Sequence, residues 1–300
     1  MKIASHWFLL VIVLIAFAAN SLFCRLALKL APGQETLSID PASFTSIRLI
    51  SGALVLSLLL FFSGKHKQIM KPSALHFRGA IFLFLYAVTF SFAYISLDAA
   101  MGALILFGVV QISIISISIV NGNRLSALEW FGSTLAVIGL LVLTMPHLLQ
   151  SQTNSAAISV LLMVISGIAW GLFTLNGSGS KDSLLDTSNC FVLTVPVAGI
   201  LLLLTFFWQG INISAYGLIL AVLSGALASG MGYALWYHIL PKLTPSQAST
   251  SQLSVPVIAA TGGSLFLGES LNLLFILASG LILGGVLLVI KTSTTRQKAK

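Results

Sequence analysis

The chain contains very few charged side chains. Of its 300 residues, 15 are Lys or Arg and 7 are Asp or Glu, whereas a soluble protein of this length would carry roughly 75 such residues. So few charges cannot cover the surface of a soluble domain. Together with a hydrophobic content of 57%, this shortage excludes a soluble globular enzyme and indicates a protein that folds in the lipid bilayer.

The sequence also lacks the signatures of catalysis and of ATP-driven pumping. It contains no HExxH, no GxSxG and no Walker glycine loop, and no predicted connector is long enough to hold a nucleotide-binding domain. Its two cysteines, Cys24 and Cys190, are expected in opposite leaflets, too far apart for a disulfide. We therefore expect no enzymatic activity, no cofactor and no metal site.

Long apolar runs make up most of the chain. A helix needs about 20 mostly apolar residues to cross the hydrocarbon core, whereas the strands of a transmembrane barrel alternate over about ten residues. The first run is too long for the apolar part of a cleaved signal peptide. We predict an all-α integral membrane protein whose ten transmembrane helices span residues 7–30, 43–63, 76–97, 100–120, 127–146, 156–176, 190–208, 213–239, 246–267 and 271–290.

The basic residues indicate how these helices are oriented. Twelve of the fifteen Lys and Arg side chains fall near the chain ends or in connectors predicted on the same side of the membrane as both ends. Because basic residues accumulate in cytoplasmic segments, we expect both termini in the cytoplasm. Membrane sidedness thus explains the net charge of +8, and we expect no binding of nucleic acid.

An internal repeat relates the two halves of the chain. Residues 121–142 align with residues 267–288 at a constant offset of 146, with seven identical positions. Five predicted crossings separate the two copies, so the copies have opposite orientations in the membrane. Inverted repeats of this kind allow one cavity to open alternately to either side. We therefore predict two five-helix repeats, residues 1–150 and 151–300, and a secondary transporter.

Motifs in the second half resemble those of a known family. Tyr233–Tyr237 reads YALWY, Pro256–Ile258 reads PVI, and Leu267–Leu271 reads LGESL. With these motifs, and over nearly all of its length, the chain resembles the EamA-type transporters of the drug/metabolite transporter superfamily. The first half departs from the family pattern, with Asn123 where a Glu is usual and Val110 where a proline is usual. The departure favours a structural role for the LGESL turn.

The resemblance implies a central cavity lined by the first, third, fourth, sixth, eighth and ninth helices. It also implies export of small metabolites, often amino acids or their derivatives, across a bacterial cytoplasmic (inner) membrane. The expected partners are a small-molecule substrate and the bilayer, and we expect a monomer or a weak homodimer. The alternative is an exchanger of nucleotide sugars, or a flippase of lipid-linked substrates, on the same architecture; additional cavity arginines would support it.

Polar and aromatic side chains inside the spans are candidates for substrate contact, because polar groups within a membrane usually face protein or water. The polar candidates have an alternative role in hydrogen bonds between helices, and the aromatic ones in an interfacial belt. Two aromatic stripes on equivalent helices would suit an amphipathic substrate through stacking and cation–π contact. The cavity candidates are Asn20, Gln111, Gln252, Ser254, Trp170, Tyr86, Phe90 and Tyr94 on the third helix, and Tyr233, Trp236 and Tyr237 on the eighth.

Charged residues near the membrane are candidates for gating and coupling. Arg48 cannot lose its charge, so it either attracts a substrate carboxylate or forms an ion pair as a lock or gate. The carboxylates proposed for that pair are Glu35, Asp40 and Asp98. Glu269 lies in a turn, where we expect a structural role. No Asp or Glu occupies the middle of a predicted span, so His238 is the candidate for proton coupling, with an interfacial position as its alternative.

Overall fold

The structure is a computed structural model that describes residues 2–29, 37–64, 73–120, 126–149, 154–177, 180, 182–208, 210–239 and 251–298. Apart from an isolated β-bridge between Ile39 and Ile213, the regular structure in these ranges is helical. The helices are α1 (Lys2–Leu28), α2 (Pro41–Phe62), α3 (Ala74–Ala93), α4 (Ala99–Val120), α5 (Ala127–Leu149), α6 (Asn154–Gly177), α7 (Ser183–Trp208), α8 (residues 215–239), α9 (Ser254–Leu267) and α10 (Leu273–Lys298).

The apolar runs form helices because a chain in lipid must satisfy its own backbone hydrogen bonds. Seven helices, α1–α4 and α6–α8, are long and apolar enough to cross a membrane. The apolar stretches of α5, α9 and α10 are shorter, at 10–17 residues. The chain is therefore an all-α membrane protein, which confirms the coarse prediction. The count of ten spans stays a prediction.

Helix α7 begins earlier than the sequence suggests. The predicted spans 156–176 and 190–208 leave residues 177–189 as a connector, but α7 starts at Ser183. The carboxylate of Asp182 accepts a hydrogen bond from the Leu185 N–H at 3.3 Å, which is how an N-cap satisfies the free N–H groups of a first turn. Asn189 and its two preceding residues are buried. Their polarity therefore marks a helix face inside the bundle, and the predicted boundary is wrong.

Helix α8 changes its winding in the middle of the bundle. Ala215–Leu223 is α-helical, Ser224–Met231 is π-helical and Gly232–Ile239 is α-helical again. The π-helical segment, with sequence SGALASGM, crosses α2 so closely that a Cβ atom on Gly225 would collide with the carbonyl oxygen of Arg48. Such π-helical segments are rare and often lie at functional sites.

The connectors gather at two ends of the bundle. At one end, the Asp40 N–H donates to the carbonyl of Asn212 at 3.0 Å, which joins the segment before α2 to the segment before α8. Arg25 also lies there, next to the α3–α4 and α9–α10 turns, and we call it the Arg25 end. At the opposite end, His76 at the start of α3 contacts Asp186 at the start of α7. We call this the His76 end.

Candidate functional site

Arg48 lies in the centre of the bundle and is only 2% exposed. Its Nη2 atom donates to the hydroxyl of Tyr86 at 2.8 Å, and its Nε atom donates to the hydroxyl of Ser229 at 3.3 Å. The guanidinium carbon lies 5.0 Å from the ring centroids of both Tyr86 and Phe90, within the range of a cation–π contact. All of these partners are uncharged, so the arginine is solvated by dipoles and rings.

The expected pairing of Arg48 with Asp98 or Asp40 is wrong. Asp98 pairs with Arg25 at 3.3 Å, and Asp40 caps α2 by accepting from the Ser43 N–H at 2.8 Å. Glu35, the third proposed partner, lies outside the described residues. Arg48 forms neither pair because its side chain points inward to α3 and α8 and does not extend to the Arg25 end.

Tyr86 joins the first three helices to α8. Its hydroxyl accepts from Arg48 and also from the Asn20 side-chain amide at 3.1 Å. The side-chain oxygen Oδ1 of Asn20 in turn accepts a hydrogen bond from the hydroxyl of Ser224 at 2.6 Å. Ser224 lies in the π-helical segment of α8. This chain of hydrogen bonds holds Asn20 and Tyr86 at fixed positions beside the arginine.

Trp170 bridges the two predicted aromatic stripes. Its ring stacks on Tyr233 with a centroid distance of 5.2 Å and an interplanar angle of 24°. On its other side it contacts Tyr86 at 4.8 Å. The two stripes therefore do not face each other across open space, because an indole from α6 lies between a ring of α3 and a ring of α8.

These side chains surround a small central cavity. Its volume is about 20 Å³, which is room for about one water molecule. Five of the six helices implied by the family resemblance contribute to its wall: α1, α3, α4, α6 and α8. The lining residues are Phe17, Asn20, Ser21, Tyr86, Phe90, Leu106, Phe107, Trp170, Ala228, Ser229 and Tyr233. No residue of α9 is among the described lining residues.

Five of the predicted cavity residues thus meet at one place: Asn20, Tyr86, Phe90, Trp170 and Tyr233. Their contact with a substrate stays a prediction.

Two other predicted aromatic residues lie directly behind these. Tyr94 packs edge-on against Phe90 at 4.7 Å, and Trp236 contacts Phe17 at 5.9 Å. The side chain of Tyr237 lies outside what the structure describes.

The remaining candidates lie apart from the cavity wall. Gln111 is buried in α4, and His238 is exposed near the end of α8. Gln252 and Ser254 lie at the start of α9, where the hydroxyl of Ser254 donates to the carbonyl of Ser251 at 2.6 Å. None of these four lines the central cavity in the described part of the chain.

A network of charges closes the Arg25 end. The Nη1 atom of Arg25 donates to the carbonyls of Tyr94 and Ile95 at 2.9 and 3.0 Å, and its Nε atom lies 3.7 Å from a carboxylate oxygen of Glu269. That carboxylate accepts from the Ala99 N–H at 2.8 Å, at the first residue of α4. Glu269 thus joins the α9–α10 turn to α4 and α1, and its structural role stays a prediction.

A second polar cluster closes the His76 end. The Ser73 N–H donates to Nδ1 of His76 at 3.0 Å, so Nε2 carries the proton that it shares with Asp186 at 2.9 Å. The hydroxyl of Ser180 also donates to Asp186, and the amide of Asn176 donates to the carbonyl of Leu75 at 3.1 Å. The start of α3 is thereby tied to the end of α6 and the start of α7.

Sequence reasoning missed part of this arrangement. Ser229 and Ser224 carry the hydrogen bonds from Arg48 and to Asn20, and Phe17 and Ser21 line the cavity. The available signal was the run of small residues at positions 224–230, which permits the close crossing of α2 and α8. The spacing of these small residues indicates a helix contact and does not by itself indicate the polar role of the serines.

Glu269 predicts a pH dependence of stability. Burial raises the pKa of its carboxyl group above the ordinary value of 4.5, so the folded protein holds this proton more tightly than the unfolded chain. The contribution of Glu269 to stability is therefore fully present below pH 4.5 and is lost as the pH rises through the folded-state pKa. We expect the stability of wild type relative to Glu269→Gln to fall across that window, measured as unfolding midpoints over a pH series. A difference that rises with pH would contradict the assignment.

Similarity to known proteins extends over nearly the whole chain. The model of the EamA-like transporter family matches residues 157–291. An uncharacterized protein of Pseudomonas aeruginosa is 45% identical over 282 residues, covering 94% of this chain and 93% of that protein. The uncharacterized transporter YoaV of Bacillus subtilis is 23% identical over 269 residues, covering 86% of this chain and 90% of that protein. A solved crystal structure has the same fold, with a TM-score of 0.63 at 14% identity over 95% of this chain and 97% of that chain.

Proposed function

We propose, on the premise that this chain belongs to the EamA-like transporter family, that it moves amino acids or related amphipathic metabolites out of the cell by alternating access. The family sets the coarse function: the chain is an integral multi-pass membrane transporter of small molecules and not an enzyme. The observation that carries the finer proposal is the central cavity, whose wall combines aromatic rings with a few fixed polar groups.

Contacts between α5 and α10 support the two inverted repeats, 1–150 and 151–300. A Cβ atom on Gly139 would touch Ile282, and a Cβ atom on Gly285 would touch Ala136. The offset of 146 converts the first contact into the second, because it relates residue 139 to 285 and residue 136 to 282. The larger packing follows the same rule, since α1 packs on α8 and α9, whereas α6 packs on α3 and α4. A two-fold relation between five-helix halves accounts for both observations.

The closed ends support alternating access. A cavity of about 20 Å³ is far smaller than the roughly 300–1,000 Å³ of typical ligand sites. A substrate therefore enters only when one end opens and the wall separates. Water can replace the partners in polar contacts such as Arg25 with Glu269 and His76 with Asp186, so these contacts are suited to break and re-form in each cycle.

The cavity wall favours an amphipathic substrate of modest charge. The rings of Trp170 and Tyr233 stack on each other in this structure, and once the wall separates they offer faces for an apolar group or for an ammonium group. Asn20 and Ser229 offer hydrogen bonds. Among the described residues, Arg48 is the cation in contact with this wall, and a single cation suits a nucleotide sugar or a lipid-linked phosphate poorly. Nucleotide sugars and lipid-linked substrates are therefore the second candidate class, after amino acids and related amphipathic metabolites.

The orientation follows from the basic residues. With the N- and C-termini in the cytoplasm of a bacterium, the His76 end faces inward and the Arg25 end faces outward across the cytoplasmic membrane. Several of the basic residues that support this orientation, among them Lys65, Lys67, Arg124 and Lys242, lie outside the described residues. Export as the physiological direction rests on the family resemblance, since the gradient sets the net flux.

Counterflow in proteoliposomes tests this proposal. We expect purified wild-type protein to exchange at least one labelled amino acid from a panel, with saturation. Trp170→Leu and Tyr233→Leu should lower the initial rate about tenfold or more, because aromatic contacts contribute about 0.5–1.5 kcal/mol each beyond their buried area. The matched control is Trp208→Leu. Because Trp208 is 87% exposed, this variant should exchange substrate at the wild-type rate. Folded wild-type protein that exchanges no amino acid would overturn the substrate class and lead to nucleotide sugars and lipid-linked substrates.

A further inference from the structure

Arg48 is a buried cation without an anion in the part of the chain that the structure describes. Between described residues, ion pairs join Arg25 to Asp98 and to Glu269, and His76 shares a proton with Asp186; none of these contacts includes Arg48. Its Nη1 atom is inaccessible to solvent and donates no hydrogen bond to a described residue. The guanidinium therefore has an unused donor and an uncompensated charge in the centre of the bundle.

The neutral partners of Arg48 stabilise its charge without cancelling it. Two ring faces and two hydroxyl groups replace part of the water that the guanidinium loses on burial. A buried charge nevertheless remains costly until an opposite charge pairs with it. A purely structural residue at this position would gain from having no charge, so the charge itself requires an explanation.

We propose that Arg48 is the receptor for a carboxylate group of the transported molecule. This inference rests on the proposed transport function and narrows its substrate to monocarboxylates with an apolar or aromatic body, amino acids included. A guanidinium donates two parallel hydrogen bonds to a carboxylate, which makes it the side chain best suited to this group. One guanidinium matches one carboxylate, so the carboxylate of a bound monocarboxylate neutralises the charge of Arg48.

The position of Arg48 relative to the cavity supports this role. Three residues of the cavity wall, Tyr86, Phe90 and Ser229, each contact the guanidinium. A carboxylate that enters an enlarged cavity reaches the arginine once the weak 3.3 Å bond from Nε to Ser229 gives way. That bond joins α2 in one predicted repeat to α8 in the other. Substrate binding therefore exchanges a contact between the halves for a contact with the ligand.

Benzoate and benzamide test the proposal in wild-type protein without requiring transport. The two molecules have the same shape and differ in charge, and the benzene ring suits the aromatic wall. We expect benzoate to raise the unfolding midpoint of the purified full chain in a saturable manner, with an affinity at least about tenfold above that for benzamide. Equal affinities for the two compounds would overturn the proposal.

Variants locate the charge that is responsible. Arg48→Gln should remove the preference for benzoate, and Arg48→Lys should retain part of it because the charge remains while the planar fork is lost. The matched control is Arg78→Gln, which removes a positive charge from an exposed position of α3 and should keep the full preference. A full preference in folded Arg48→Gln would overturn the assignment. If Arg48→Gln fails to fold, the preference for benzoate is compared between Arg48→Lys and wild type. A reduced preference in Arg48→Lys would support the assignment, and an unchanged preference would overturn it.

Transport separates this inference from the function on which it rests. Where an amino acid is exchanged, Arg48→Gln should raise its KM about tenfold or more and leave the KM of its carboxamide unchanged; equal KM values in wild type and variant would remove Arg48 from recognition and leave the transport function intact. If no amino acid is exchanged but Arg48 still gives a preference for benzoate, the result supports the carboxylate site and overturns the proposal that amino acids are the substrates.

Discussion

Gly225→Ala is expected to lower the stability of the protein by about 3 kcal/mol, at the upper end of the usual cost of overpacking. The added Cβ atom would collide with the carbonyl oxygen of Arg48 and with the hydroxyl of Ser51. The Ser51 side chain can rotate away, but the carbonyl belongs to the backbone of α2 and moves only if the two helices separate. Separation of the two helices would also break the hydrogen bond from Arg48 to Ser229 and enlarge the central cavity.

The unfolding midpoint of purified protein in detergent measures this effect. Gly280→Ala is the control, because a Cβ atom on Gly280 would have no heavy atom within 4 Å and alanine favours a helix over glycine by about 1 kcal/mol. The control should match or exceed wild type. If Gly225→Ala were as stable as Gly280→Ala, the close crossing of α2 and α8 would not exist in solution.

The helices themselves are predictable because lipid imposes one solution on every long apolar run. The predicted spans overlap each of the helices α1–α10 in the described residues, and the boundary error at α7 falls in a polar segment. Ser183–Asn189 was taken for a connector, although Thr187, Ser188 and Asn189 face the interior of the bundle. A polar residue in such a chain marks either water or a buried contact, and composition alone does not separate the two.

Some residues of the cavity wall could be predicted from the sequence, but their partners could not. Asn20 is a candidate because polar side chains within a membrane are costly unless they have a role. Tyr86 and Tyr233 are candidates because they lie on aromatic stripes of equivalent helices. The partner of Arg48 depends on the rotation of α2, which sequence does not supply. In the structure α2 is rotated so that the guanidinium lies against Tyr86 and Phe90.

Native cysteines report on which end of the bundle is open. Cys24 is buried in α1 beside Arg25 in sequence, and Cys190 is buried in α7 next to the polar cluster of His76 and Asp186. A thiol reagent such as N-ethylmaleimide reaches either residue only when its end opens. Proteins in which the other cysteine is replaced by alanine therefore measure the two ends separately.

Arg25→Gln and Asp186→Ala should have opposite effects on the two labelling rates. Arg25→Gln leaves Glu269 and Asp98 without their cation and removes the bonds to two carbonyls, so the Arg25 end should open. Asp186→Ala removes the partner of both His76 and Ser180, so the His76 end should open. A loss of about 1.4 kcal/mol from one closed end raises the open fraction about tenfold.

The reciprocal change carries the argument for alternating access. In a transporter whose halves rock about one site, opening one end favours closure of the other. Arg25→Gln should therefore raise Cys24 labelling about tenfold and lower Cys190 labelling below wild type, with the reverse for Asp186→Ala. A variant that exposed both cysteines together would indicate loosened packing, and two ends that opened independently would rule out a rocking mechanism. Only a coupled, opposite change follows from inverted halves around one cavity.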